Sequence, residues 1–214
     1  MGPLAVGRVR VAELDAVTLD AHGTLVRLLD PVPTLVNVLA ERGVERTPEM
    51  VLAGFRSEVA HYAPRAGDGH DEESLKRLQR ECAGVFLDAI EAELDPEEFA
   101  PAYVGAFHFE VLPGVRASLD RLHALGLELA VVANWDLSLR RLLDKVGLAS
   151  YFTVVVHAAR KPAREGMLRA LAELQVDPER ALHVGDDDAD REAAAAAGMW
   201  FAPAPISEAV ATIR

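Results

Sequence analysis

From Leu112 onward the chain alternates short apolar runs with amphipathic stretches of about 10–15 residues, and this alternation leaves few architectures open. Pro113-Gly114 opens a helix to about Leu125, and Leu127 to Ala133 reads as a strand. Asp136 caps a helix to Val146, followed by a strand from Phe152 to Val156. A helix from about Ala163 to Leu174 precedes the strand Ala181 to Val184. A helix over Asp190 to Ala197, a short strand from Met199 to Ala202 and a terminal helix complete the run. Strands separated by helices are joined as βαβ units, which build a parallel sheet with right-handed crossovers. The apolar run Val17 to Leu19, ending abruptly at Asp20, belongs to the same sheet.

Between that first strand and Leu112 the texture changes. Leu35 to Ala40 is helix-periodic and stops at Gly43. Thr47-Pro48-Glu49-Met50 supplies an N-cap with proline in the first turn, opening a helix to about Tyr62. Pro64 to Gly69 is a turn-rich break. From Asp71 to Leu94, Leu75, Leu78, Cys82, Val85, Phe86 and Ala89 fall on one helical face. Asp95-Pro96 then caps a helix to about Phe109. Residues 27 to 109 are expected to be nearly all helical, with no strand. The expected fold is therefore α/β: a Rossmann-like parallel sheet core flanked by helices, made of residues 1–27 and 110–214, with an all-helical cap domain inserted at 28–109.

Half of the 214 residues are hydrophobic, enough for a sizeable core, and the net charge of −12 disfavours nucleic acid or an anionic membrane as a partner. A single cysteine excludes an intrachain disulfide framework and fits a reducing compartment. Arg8, Arg10, Glu13 and Asp15 interrupt the N-terminal apolar positions, so neither a signal peptide nor an anchor is expected there. No uninterrupted apolar stretch of about 18 residues occurs. The expectation is a soluble cytoplasmic protein, a monomer or homodimer, with no membrane and no nucleic-acid partner.

In an open parallel sheet the C-terminal strand ends share one rim, where ligands bind. Asp20 ends the first strand; Gly23 lets the following turn tighten, and the Thr24 hydroxyl can hold it closed. The second strand ends at Asn134-Trp135-Asp136, and the third leads to Arg160-Lys161-Pro162. The fourth runs into Gly185-Asp186-Asp187-Asp188-Ala189-Asp190. Carboxylates packed this densely beside Asp20 raise one another's pKa values, and a hard divalent cation relieves the repulsion. Mg²⁺ held by one or two carboxylates and substrate oxygen fits best; an acidic helix N-cap is the competing reading. The Lys161 ammonium, if not simply solvated, would balance the charge of a phosphoryl group. His157 and His183 flank strand ends without a second ligand at regular spacing, so neither suggests zinc. Arg56, His61, Tyr62 and Arg65 gather near a predicted helix end and could face the site, though a polar helix surface is the plainer reading.

Taken together, these pieces resemble the haloacid dehalogenase superfamily, in particular its phosphatase-like members with a helical cap after the first strand. Leu19-Asp20-Ala21-His22-Gly23-Thr24-Leu25 matches the first motif, Asp-x-Asp-Gly-Thr-Leu, at all fixed positions but one. Val131-Val132-Ala133-Asn134 stands at the second motif, Lys161-Pro162 at the third, and Val184-Gly185-Asp186 through Asp190 at the fourth, Gly-Asp-x-x-x-Asp. The resemblance implies that Asp20 is the nucleophile, forming an aspartyl-phosphate that water hydrolyses. It implies Mg²⁺ bound by Asp20, the main-chain carbonyl of His22 and Asp186, with Asp190 and Asp187 supporting the metal. Lys161 would pair with Asp20 and phosphoryl oxygens, Thr24 would stabilise the loop, and Asn134 would help to bind phosphate.

Two positions depart from the family pattern. His22 stands where the phosphatases carry the aspartate that protonates the leaving group and later activates water; its imidazole is a candidate substitute in that catalytic role if it swings onto the same oxygen, and otherwise only fills space. Ala133 replaces a Ser or Thr whose hydroxyl would hydrogen-bond the phosphoryl group. The expected activity is hydrolysis of small phosphorylated metabolites; a non-catalytic ligand- or partner-binding relative, and a haloacid dehalogenase, are the alternatives.

Overall fold

The computed structural model describes residues 11–213; Arg8 and Arg10 lie outside them. Strand β1 (Ala16–Leu19) and the short β2 (Val26–Leu28) come first. Four helices follow: α1 (Val32–Ala40), α2 (Pro48–Tyr62), α3 (Glu72–Ala89) and α4 (Pro96–Gly105). The remainder is β3 (Phe109–Val111), α5 (Val115–Ala124), β4 (Glu128–Val132), α6 (Leu139–Lys145), β5 (Val154–Val156), α7 (Glu165–Leu174), β6 (Ala181–Gly185), α8 (Asp188–Ala197), β7 (Trp200–Pro203) and α9 (Ile206–Thr212). Leu28–Phe109 form one compact unit and the flanking described residues another.

The larger unit holds a five-stranded sheet in the order β5-β4-β1-β6-β7, parallel throughout. Strand β1 sits at its centre, and all four of its residues are buried. This matches the sequence: a strand covered on both faces reads as a continuous apolar run rather than an alternation. On one side of the sheet, Met167, Ala170, Leu171 and Leu174 of α7 and Ala193, Ala194 and Ala197 of α8 pack with Ala16, Ala130 and Val132. The alanines of α8 keep that helix close to the strands. No described helix is long and apolar enough to cross a membrane.

The smaller unit is helical from α1 to α4, around Leu35, Leu39, Val51, Phe86, Ile90, Phe99 and Tyr103. Phe86 and Tyr103 hold ring centroids 4.7 Å apart. Capping follows the sequence closely: Thr47 accepts from the Met50 amide, Asp71 from Ser74, and Asp95 from Glu97 and Glu98. Besides helix bounds that shift by a few residues, as where α4 ends at Gly105 rather than near Phe109, two features differ from expectation. Helix α3 ends at Ala89 rather than near Leu94, because the chain breaks at Glu91 with φ +54° and Arg46 caps the Ile90 carbonyl from 2.6 Å. The second difference is the pair β2 and β3, which form a two-stranded sheet at the ends of a segment expected to lack strands. At three residues each, they are too short to leave a period in the sequence.

A carboxyl group is buried inside this helical unit. Glu58 is 5% exposed, and burial raises its pKa, with the polar groups of the neighbouring Cys82 and Tyr103 opposing the rise. An acid held above its unfolded pKa contributes stability that is complete below the ordinary value of 4.5 and is lost as pH rises through the raised value. Glu58→Gln removes the charge that burial penalises. Calorimetry should therefore show the variant melting about 2–4 °C higher at mildly alkaline pH, the usual response to about 1 kcal/mol in a chain of this size, with no gain near pH 4.

Candidate active site

Register brings the site together. Leu19 of β1 stands opposite Val131 of β4 and Val184 of β6, so the three strands reach the rim level with one another. The Asp20 amide continues the ladder by donating to the Val184 carbonyl at 2.9 Å. The chain then reverses tightly: the Leu25 and Val26 amides both donate to the Ala21 carbonyl, and Gly23 adopts φ +79°. A Cβ on Gly23 would overlap the Asp186 carboxylate, so glycine here serves both the turn and the approach of the acidic loop.

Lys161 arrives from the loop after β5. The Ala158 amide donates to Trp135 and that of Ala159 to Ala133, while Ala158 and Arg160 take up φ of +51° and +58°. Left-handed backbone at two non-glycine residues is strain that the surroundings must hold in place. Asn134 is one such restraint. Its Nδ2 donates to the Lys161 carbonyl (2.9 Å) and its Oδ1 accepts the Lys161 amide (2.7 Å). Both polar ends of the amide thus grip the lysine's own main chain. Gly166 in α7 is another: a Cβ there would lie 2.8 Å from the Ala159 carbonyl oxygen.

The Lys161 ammonium lies 2.5 Å from Asp20 Oδ1 and also contacts Asp190 Oδ1. All three groups are buried: Lys161 is 8% exposed, Asp20 7% and Asp190 1%. Burial dominates at Asp20 and outweighs the lysine's attraction, pushing its carboxyl up to about 7. At Asp190 burial is outweighed by the His183 hydrogen bond and the lysine charge, and the carboxyl stays well below the usual range. For Lys161 the two carboxylates overcome burial, and its pKa lies above that of a free lysine. Asp186 is exposed, and partial burial together with the Asp190 and Asp187 charges raises its carboxyl, which a positive charge on His22 would lower.

The Asp20, Asp186 and Asp190 carboxylates each place an oxygen within 4.8 Å of the others. When all three are ionised, one ammonium leaves two negative charges unbalanced. Three hard oxygen donors with that excess suit a divalent cation such as Mg²⁺. Asp187 stands apart from this set: its side chain accepts the Asp190 amide at 2.9 Å as the N-cap of α8. His22 carries an exposed side chain in the turn after Asp20. Thr24 is 1% exposed, and its hydroxyl has no protein partner. Ala133, just past the end of β4, offers only a methyl group where the resembled family carries a hydroxyl.

Sequence reasoning missed His183. Buried in β6, its ring joins Thr18 Oγ1 at 2.8 Å and Asp190 Oδ1 at 3.0 Å. The available signal was a polar residue inside a strand buried at every position, since such groups require partners. Gly185 was likewise overlooked as a packing device. A Cβ there would run into the Asp190 carboxyl group. Gly185→Ala should cost about 1–3 kcal/mol, the usual penalty of overpacking, and displace Asp190 from Lys161. A thermal melt and a Mg²⁺-dependent hydrolysis assay would show both losses together.

The haloacid dehalogenase-like hydrolase family model matches residues 14–198. Haloacid dehalogenase-like hydrolase domain-containing protein 3 of Xenopus laevis is 38% identical over 187 residues, covering 81% of this chain and 77% of the relative. A phosphoglycolate phosphatase of Cereibacter sphaeroides is 29% identical over 195 residues, covering 88% and 84%. Among solved structures, a 2-haloacid dehalogenase from Pseudomonas syringae superposes with a TM-score of 0.64 at 22% identity, covering 93% of this chain and 97% of the other. That likeness concerns the fold; membership rests on the family match and on the Xenopus relative. The chain belongs to the haloacid dehalogenase-like hydrolases.

Proposed function

We propose that the chain is a Mg²⁺-dependent phosphatase of small phosphorylated metabolites, acting through an aspartyl-phosphate on Asp20. The observation that carries this reading is the buried Asp20 carboxylate, tied to Lys161 and within 4.8 Å of oxygens from Asp186 and Asp190. A phosphatase name among the relatives supports it. Asp20, Asp186 and the main-chain carbonyl of His22 would hold the cation, with Asp190 behind them. Bound there, Mg²⁺ would supply positive charge against the phosphoryl oxygens.

In the first step a carboxylate oxygen of Asp20 attacks phosphorus, and the leaving-group oxygen departs with the bonding electrons. Lys161 neutralises charge on the phosphoryl oxygens as they pass through the transition state. In the second, water attacks phosphorus, the bond from phosphorus to the Asp20 oxygen breaks to return the carboxylate, and the water's proton leaves with the phosphate or to solvent. Asn134 serves by fixing the Lys161 backbone with both ends of its amide, and its second Nδ2–H stays available to a phosphoryl oxygen. Asp187 serves by capping α8, which holds the Asp190 backbone in place.

His22 then sets the substrate preference. Without a carboxylic acid beside the leaving group, substrates whose leaving groups depart unprotonated are favoured, which means acyl and aryl phosphates. Acetyl phosphate should be turned over faster than a sugar phosphate in parallel Mg²⁺-containing assays. Equal or faster hydrolysis of the sugar phosphate would contradict this preference.

A further inference from the structure

We propose that His183 is a positioning residue of this site: its Nε2–H pins Asp190, and through Asp190 it fixes the Lys161 ammonium against Asp20. The inference rests on the catalytic reading above only for its kinetic consequences.

A continuous buried chain supports it. Thr18 Oγ1 lies 2.8 Å from His183 Nδ1, and His183 Nε2 lies 3.0 Å from Asp190 Oδ1. That same Asp190 oxygen meets Lys161 Nζ, which sits 2.5 Å from Asp20 Oδ1. Thr18 and His183 are wholly buried, so bulk solvent does not compete for these groups. Thr18 lies in β1 and Asp20 two residues on, just past the strand's end, so the chain of contacts starts and ends on the same piece of backbone.

The direction of each bond follows from the donors present. An ionised carboxylate only accepts, so His183 Nε2 must carry a proton. A neutral ring then leaves Nδ1 bare, and the Thr18 hydroxyl must donate to it. Thr18 therefore selects the one tautomer that can hold Asp190.

Asp190 needs that hold. Its other oxygen receives the Asp186 and Asp187 amides only at 3.2 and 3.4 Å, long contacts that would let the carboxylate turn. A turned carboxylate would carry the ammonium with it. Displacing a charge that must meet a developing phosphoryl charge lowers turnover more than it weakens ground-state binding.

Two independent measurements test the proposal. In ¹⁵N NMR of the intact protein, His183 should show a protonated Nε2 and a bare Nδ1, and Thr18→Val should shift it towards a tautomer mixture. In kinetics with p-nitrophenyl phosphate and Mg²⁺, Thr18→Val should lower kcat about 3–10-fold, the worth of one neutral hydrogen bond, with KM little changed. His183→Phe should lower kcat further, and His183→Gln, which keeps an N–H and an acceptor, should recover most of the loss. Adding Thr18→Val to His183→Phe should then cost nothing more, because Thr18 acts only through the ring.

A protonated Nδ1, undiminished kcat in folded His183→Phe, or a Thr18→Val effect that persists in the His183→Phe background would overturn the proposal. If His183→Phe does not fold, the NMR measurement and Thr18→Val decide. If the wild-type chain hydrolyses no phosphate at all, the phosphatase reading fails, and the NMR measurement decides the tautomer alone.

Discussion

Asp20→Asn should reduce Mg²⁺-dependent hydrolysis of p-nitrophenyl phosphate by at least about 10³-fold while the protein stays folded, since removing a nucleophile abolishes the covalent route. Asparagine has nearly the shape of aspartate and still offers an oxygen to Lys161, whose contact with Asp190 remains. It also lacks a carboxyl group that burial pushes up to about 7, so the substitution removes a buried ionisation as well as a nucleophile. Circular dichroism at matched concentration would confirm the fold, and the assay would read the loss. Activity that survives in Asp20→Asn would assign the hydrolysis to another group or a contaminant. Absence of activity in both proteins would favour the non-catalytic binding relative.

The second large effect is a gain. His22→Asp places a carboxyl group where the phosphatases of the resembled family keep their acid–base residue. A well-placed general acid is worth about 10²–10⁴-fold. Turnover of a sugar phosphate should rise by that order, while turnover of acetyl phosphate, whose leaving group needs no proton, should barely change. Because the His22 side chain is exposed, the exchange should cost the fold little. A new carboxylate near Asp186 would also remove any favourable charge from the imidazole and raise that group's pKa further. The variant should therefore need its cation more than the parent does. An equal gain on both substrates would point to a general improvement in binding and contradict the assigned role.

How much of this was legible in advance differs between backbone and side chains. The order of strands and helices in the larger unit followed from apolar runs, caps and prolines, because local chemistry dictates those features. Asp20, Lys161, Asp186 and Asp190 could be nominated because each follows a strand, and parallel strands end on one rim. The resemblance paired Lys161 with Asp20, but nothing in Lys161-Pro162 says that the same ammonium is shared with Asp190. Asn134 shows the same gap. Its position suggested phosphate, whereas its two contacts are to the Lys161 backbone, a loop 27 residues away. Asp187 looked like one carboxylate among several until the α8 N-cap distinguished it from Asp186. His183 was hidden for a plainer reason, since its partners Thr18 and Asp190 are 165 and seven residues distant. The roles of Gly23 and Gly185 depend on what a methyl group would strike, which only packing reveals.

The central claim is that Asp20 accepts a phosphoryl group beside a cation held with Asp186. A crystal structure of the protein with Mg²⁺ and BeF₃⁻ tests it most directly. The account predicts beryllium bonded to an Asp20 carboxylate oxygen, Lys161 Nζ against a fluorine, and Mg²⁺ touching Asp20 and Asp186. Clear density with Asp20 unmodified, or the cation bound away from both carboxylates, would contradict it.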